Sequence, residues 1–105
     1  MAEIIWTEPA IFYLNEIAEY IALDKPSAAR KLVRTVFAKV ERLEDFPESG
    51  RKVPELRKST YREIIVGPCR IFYRVDDEIA YIIHVMRAER LLRKYILDEC
   101  AAKSS

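Results

Sequence analysis

Histidine and cysteine are scarce in this chain, and long apolar runs are missing. One histidine, His84, and two distant cysteines, Cys69 and Cys100, make up the whole supply of soft metal ligands. With no CxxC spacing they do not readily fill a tetrahedral zinc site, so no metal and no cofactor is expected. A single possible cysteine pair is no framework for a small secreted domain. Cys69 falls in an apolar strand pattern, where cysteine behaves as a small hydrophobe. The apolar runs are far shorter than the ~18 residues of a membrane span. The opening "MAEIIWTEPA" turns acidic and meets a proline at once. It therefore lacks the look of a secretory leader, and a cytoplasmic protein without a membrane partner is expected.

What is present is the mixture of a soluble globular domain, 50% apolar and 33% charged over 105 residues. That length suits one domain with one core, read as residues 1–100 with a frayed tail at 101–105. The net charge of +1 hides an asymmetry. Residues 1–50 hold six basic and nine acidic residues, whereas residues 51–105 hold twelve and eight. Within 51–74 the count is seven basic against two acidic. A local basic surface on a near-neutral chain fits a specific acidic partner better than bulk nucleic-acid binding. Most such charges, taken singly, are solvated surface.

Periodicity supplies the elements. "EIIWT" is short, apolar and β-prone. Thr7 is placed to cap a helix, and Pro9 is tolerated in its first turn. Ala10, Tyr13, Leu14, Ile17 and Ile21 form one apolar face over roughly 8–22. "LDKPSAA" ends that helix and begins another, whose stripe of Ala29, Leu32, Val33, Val36, Val40 and Leu43 runs to about Leu43 before "FPESG". Residues 50–59 are polar and read as a loop. Then the period changes to two: "YREIIV" and "RIFYRV" flank "GPC", and "EIAYIIHVM" follows "DD", giving a three-strand meander. "RAERLLRKYILDEC" returns to helical spacing. The predicted fold class is α+β with order β-α-α-β-β-β-α. Its helical hairpin lies on a twisted, mostly antiparallel four-stranded sheet, with a C-terminal helix.

The stretches "EIAEYIALDKPSAA" (16–29), "LEDFPESGRKVPELR" (43–57), "YREIIVGPCRIFYRV" (61–75) and "IIHVMRAERLL" (82–92), with Trp6, resemble the RelE/ParE superfamily of toxins from type II toxin–antitoxin systems. The pattern P-x-x-G-R-x-V-P-E, followed by the strand arginines, looks closer to the ParE branch. The resemblance implies a cognate antitoxin as partner and one of two activities. ParE-like members poison DNA gyrase; RelE-like members are ribosome-dependent endoribonucleases that cut mRNA. A third reading is a non-toxic member that only binds antitoxin. Fold alone does not choose among them.

Cleavage by 2′-hydroxyl attack needs a base, cations for the phosphate and an acid. The residues that would serve as a ribonuclease site are Arg70, His84, Arg87, Arg90 and Tyr95. Arg70 matches the strand arginine of RelE-like members, but ParE-like members carry arginine there too. Ala88 stands where a RelE-like second arginine would lie, and Tyr95 is offset by one residue. His84 sits between Ile83 and Val85, where a lone histidine is more often structural. A pI near 7.7 is mild for a protein that must dock among ribosomal phosphates. The favoured reading is a non-enzymatic gyrase inhibitor. Its expected target-binding face comprises Arg62, Arg70, Phe72 and Arg74 on the strands, with Arg87, Arg90 and Arg93 at the start of the last helix. Phe72 reads equally well as core. An apolar groove between the helices and the sheet is expected to receive an amphipathic antitoxin segment.

Overall fold

The computed structural model describes residues 1–88. The expected C-terminal helix and tail, and with them Arg90, Arg93 and Tyr95, lie outside the described residues. The elements are β1 (Glu3–Trp6), α1 (Glu8–Ala22), α2 (Pro26–Glu41), β2 (Arg51–Lys52), β3 (Arg62–Val66), β4 (Cys69–Asp76) and β5 (Ile79–Arg87), with 3-10 turns at Arg42–Glu44 and Pro54–Leu56. The strands form one sheet in the order β1-β5-β4-β3-β2. β1 runs parallel to β5, and the remaining pairs are antiparallel.

The sheet thus has five strands where four were expected. The extra one, β2, is two residues long and lies inside the segment read as loop. Arg51 and Lys52 have no apolar alternation to betray a strand; they pair with Glu63 and Arg62 because the chain returns along that edge.

Thr7 begins α1 as its chemistry suggests. Its hydroxyl accepts from the Ala10 amide at 3.4 Å and donates to the Ile82 carbonyl at 2.7 Å, so one side chain caps the helix and ties it to β5. Ala10, Leu14 and Ile17 of α1, and Leu32, Val36 and Val40 of α2, pack on Cys69, Ile71, Tyr73, Ala80, Ile82 and Val85 of the sheet. Burial of each large aliphatic side chain here contributes roughly 1.5–3 kcal/mol. Pro26 opens α2, and a 3-10 turn takes over where α2 ends at Glu41.

The β3–β4 connection is Gly67–Pro68, with Gly67 at a φ of +55° that suits glycine. The β4–β5 turn uses Asp77 at φ +58°, a residue type that tolerates the left-handed region. Gly50 is required for another reason: a Cβ there would come within 2.6 Å of the Tyr73 ring, and its N–H donates to the Tyr73 hydroxyl at 2.9 Å.

A register slip between Phe72 and Tyr73 shapes the far side of the sheet. Phe72 faces His84 while Tyr73 faces Ile82, leaving Ile83 as the extra residue of a bulge. Ile82 and Val85, three apart, consequently both reach the helix-side core. Ile83 and Met86 instead join Val53 and Phe72 in a second cluster, against which Leu56, Tyr61 and Tyr81 pack. The run "IIHVM" is buried throughout, because both faces of β5 are covered.

Candidate functional site

The side chains of the second face come from β3, β4 and the turn after β2. Strand alternation sends Cys69, Ile71, Tyr73 and Val75 of β4 to the helices, and Arg70, Phe72 and Arg74 the other way. Arg70 and Arg74 do share this face with Phe72 between them. The Arg70 guanidinium lies 5.0 Å from the Phe72 ring centroid, and that of Arg74 lies 4.5 Å from Tyr81.

Arg70 is the centre of a buried ion network. Its Nε donates to Glu63 Oε1 at 2.8 Å and its Nη2 to Glu63 Oε2 at 3.1 Å. Nη1 and Nη2 donate to the two carboxylate oxygens of Glu55, each at 2.8 Å. Arg51 Nε completes the set with a 3.1 Å bond to Glu63 Oε2. Glu63 is fully buried, and the Arg70 side chain is only 6% exposed. Charge-assisted bonds of this length are the strong kind. The bonds Arg70 donates to Glu55, helped by those to Glu63 and opposed by burial, push its pKa above its ordinary value. This cation is permanently charged and already satisfied by two carboxylates. Arg70 and Phe72 were expected on an exposed basic face; they lie inside, with Phe72 fully buried. The sequence pattern left the parity of β4 open, and core packing was the equal alternative for Phe72. What covers that face, the chain segment 53–61, was not foreseen.

His84 is buried too. Its ring stands 4.6 Å from that of Tyr13 and 6.0 Å from that of Phe72. Desolvation lowers its pKa from 6.5 to about 4. The imidazole is therefore neutral at physiological pH and a weaker base than an exposed histidine. Arg62 is half-buried, and its Nη1 donates to the Gly50 carbonyl at 2.9 Å. Arg74 reaches Asp76 at 3.4 Å, and Arg87 lies over the Tyr20 ring of α1 at 4.3 Å. The structure thus gathers Arg70, Phe72 and His84 in one buried group and leaves Arg62, Arg74 and Arg87 partly exposed at separate places.

Arg51 and Glu55 stand in the pattern P-x-x-G-R-x-V-P-E, but neither they nor Glu63 were singled out as site residues. The signal for Glu63 was a carboxylate inside "REIIV", opposite in the sheet to Phe72. Nothing local marks Glu55, which sits on a 3-10 turn, as its partner. An open cleft of about 440 Å³ carries Glu44, Asp45, Asp77 and Glu78 and so has the wrong sign for a phosphate. Among the described residues no cluster of three or more His, Cys, Asp or Glu side chains is arranged for a metal, and no helix is long and apolar enough to cross a membrane.

Fold and residues together have counterparts among known proteins. Residues 4–92 match the family described as ParE toxin of type II toxin-antitoxin system, parDE. Toxin RelE2 of Caulobacter vibrioides is 33% identical over 92 residues, covering 87% of this chain and all of the relative. Putative toxin Y4kP of Sinorhizobium fredii is 40% identical over 83 residues, covering 75% of this chain and 83% of that one. A solved chain of the chromosomal ParDE system from P. aeruginosa superposes with a TM-score of 0.71 at 25% identity, over 85% of this chain and 98% of its own. A two-helix layer on a mixed sheet with this order defines a toxin of the RelE/ParE superfamily. Within it, the chain belongs to the ParE toxin family of type II toxin–antitoxin systems. Membership implies a cognate antitoxin as partner.

Proposed function

We propose that this toxin acts without catalysis, by binding DNA gyrase in the cytoplasm and blocking replication until its antitoxin captures it. The observation that carries this reading is the state of Arg70. Phosphoryl chemistry needs a cation free to meet charge that develops in the transition state. Arg70 is held on both sides by Glu55 and Glu63, with bonds as short as 2.8 Å. His84, the residue best suited by type to act as base, is desolvated, with a pKa lowered to about 4. Neither is poised for cutting RNA. Protein binding asks instead for a shaped surface with accessible arginines. Arg62, Arg74 and Arg87 fit that need, and Arg90 and Arg93 complete the proposed target face.

The test puts purified protein with gyrase, DNA and ATP in one tube and with programmed ribosomes and mRNA in another. Accumulation of cleaved DNA complex with intact mRNA is expected. Cuts in mRNA with normal supercoiling would instead make the protein a ribosome-dependent endoribonuclease. Inactivity in both tubes, together with harmless expression in cells, would make it a non-toxic antitoxin-binding member.

A further inference from the structure

The two helices that cover the sheet carry opposite charge on their outward sides. α1 holds Glu8, Glu16 and Glu19 and no basic residue, whereas α2 holds Arg30, Lys31, Arg34 and Lys39 against Glu41 alone. Helical spacing sets Glu8, Phe12, Glu16 and Glu19 in one exposed row, on the side of α1 away from the buried Ala10, Leu14 and Ile17. On α2 the corresponding exposed row is Ser27, Lys31, Arg34 and Ala38, with Arg30 beside it. Like charges three or four residues apart on a helix repel, as Glu16 does Glu19 and Arg34 does both Arg30 and Lys31. The helices pack on each other, yet none of these side chains forms an ion pair among the described residues. The neighbouring charges are balanced in sign: Asp24 with Lys25 in the connecting turn, and Lys39 with Glu41 at the end of α2. Arg87 lies at the flank of α1, over the Tyr20 ring.

The same layer holds most of the exposed apolar bulk. Ile11, Phe12, Tyr13, Tyr20 and Leu23 lie on α1 or just past its end, and Phe37 lies on α2. The other large exposed apolar residues among those described are Met1, Phe46 and Ile65, which belong to neither helix. Phe12 is 57% exposed and Tyr20 61%. Phe12 meets the Tyr13 ring edge-on at 5.3 Å, and Phe37 stands 4.6 Å from Trp6, so these rings are held in place before any partner arrives. Apolar residues gathered on one side mark an interaction surface, and aromatic rings bordered by charges are the composition of such a surface.

We infer that the helical layer is a self-association face, on which α1 of one copy lies against α2 of a second copy and the reverse. A twofold axis makes both contacts at once, because an isologous interface uses one patch twice. Glu16 and Glu19 then face Arg30, Lys31 and Arg34 of the partner subunit, while Phe12 and Tyr20 supply the apolar contact. A foreign helix with charge of one sign suits either α1 or α2 and is repelled by the other. A second copy brings both signs in the places required. Pairing through the helices leaves the opposite side of each sheet, where Arg74 lies, outward on both copies. The dimer therefore presents that side twice, whichever target it binds.

Sedimentation equilibrium of the purified full-length chain tests the assignment. A mass of twice 12.3 kDa is expected at micromolar concentration, falling toward that of one chain as salt is raised. Glu16→Lys with Glu19→Lys makes both rows basic, and Arg30→Glu with Arg34→Glu makes both predominantly acidic. Each double variant alone is expected to dimerise roughly tenfold more weakly or worse, and the two mixed together to form a heterodimer as tight as the parent. Heterodimer formation also shows that both variants are folded. On the parent chain, where no variant has to fold, a zero-length carboxylate–amine cross-linker is expected to join Glu16 or Glu19 to Lys31 within the dimer band. A parent that stays monomeric up to roughly 100 μM would overturn the inference. So would a dimer cross-linked only elsewhere, or one that the charge variants leave unchanged. A monomer whose Lys31 loses reactivity only when antitoxin or gyrase is added would assign the face to that partner instead.

Discussion

Removing the Arg70 guanidinium would leave Glu63, whose side chain has no exposure, with the 59%-exposed Arg51 as its one ionic partner among the described residues. An uncompensated buried charge is far costlier than a missing contact, so Arg70→Ala is expected to destabilise the fold by about 3–5 kcal/mol. Replacing both members, Glu63→Gln with Arg70→Met, should recover much of that loss, because the stranded charge disappears. Urea unfolding midpoints of the two variants test this; equal losses would show that packing, not charge, sets the cost. His84 makes a different prediction. Its folded pKa of about 4 lies below the ordinary 6.5, so between those values the unfolded chain binds more protons than the folded one. Stability is therefore complete above about pH 6.5 and falls as pH drops toward 4, by about 3 kcal/mol at full depth. The His84→Phe variant, which keeps an aromatic ring beside Tyr13 and Phe72, should lose the slope between pH 6.5 and 5. Parallel stability curves for variant and parent would show that burial does not hold His84 neutral.

Among the elements, α1 depends on one side chain in two directions. Thr7 satisfies an amide at the helix start and a carbonyl of β5, and it is itself buried. Thr7→Ala should therefore cost about 1–2 kcal/mol, whereas Thr7→Ser should retain most of the stability. Thermal or urea unfolding decides this, and a Thr7→Ser variant as weak as Thr7→Ala would assign the effect to the lost methyl. The helices and the three long strands were legible because their apolar residues repeat at 3.6 or gather into short β-prone runs, and Pro9, Pro26, Gly67 and Asp77 punctuate them. β2 was illegible for the complementary reason: two charged residues have no period. The bulge at Ile83 was hidden as well. A strand buried on both faces loses the alternation of period two, so one extra residue leaves no mark.

For the molecule as a whole, charge is segregated by depth more than by length of chain. The excess of basic over acidic residues in 51–74 could be counted from the sequence, yet counting could not say which cations face water. Folding pairs Arg70 and Arg51 with the two carboxylates of that stretch, leaves Lys52, Arg57 and Lys58 exposed, and half-buries Arg62 against the Gly50 carbonyl. The family was recognisable from the ordered stretches between Trp6 and Leu92. Local rules reach that far because helix stripes, strand alternation and turn chemistry each act within about a dozen residues. The ion network needed more: Glu55, Glu63 and Arg70 come from a turn and two strands, and their meeting depends on how those pieces pack. The sequence could name the candidate arginines. Only the packed sheet decided which of them are buried and neutralised, because burial belongs to a residue's surroundings and not to its type.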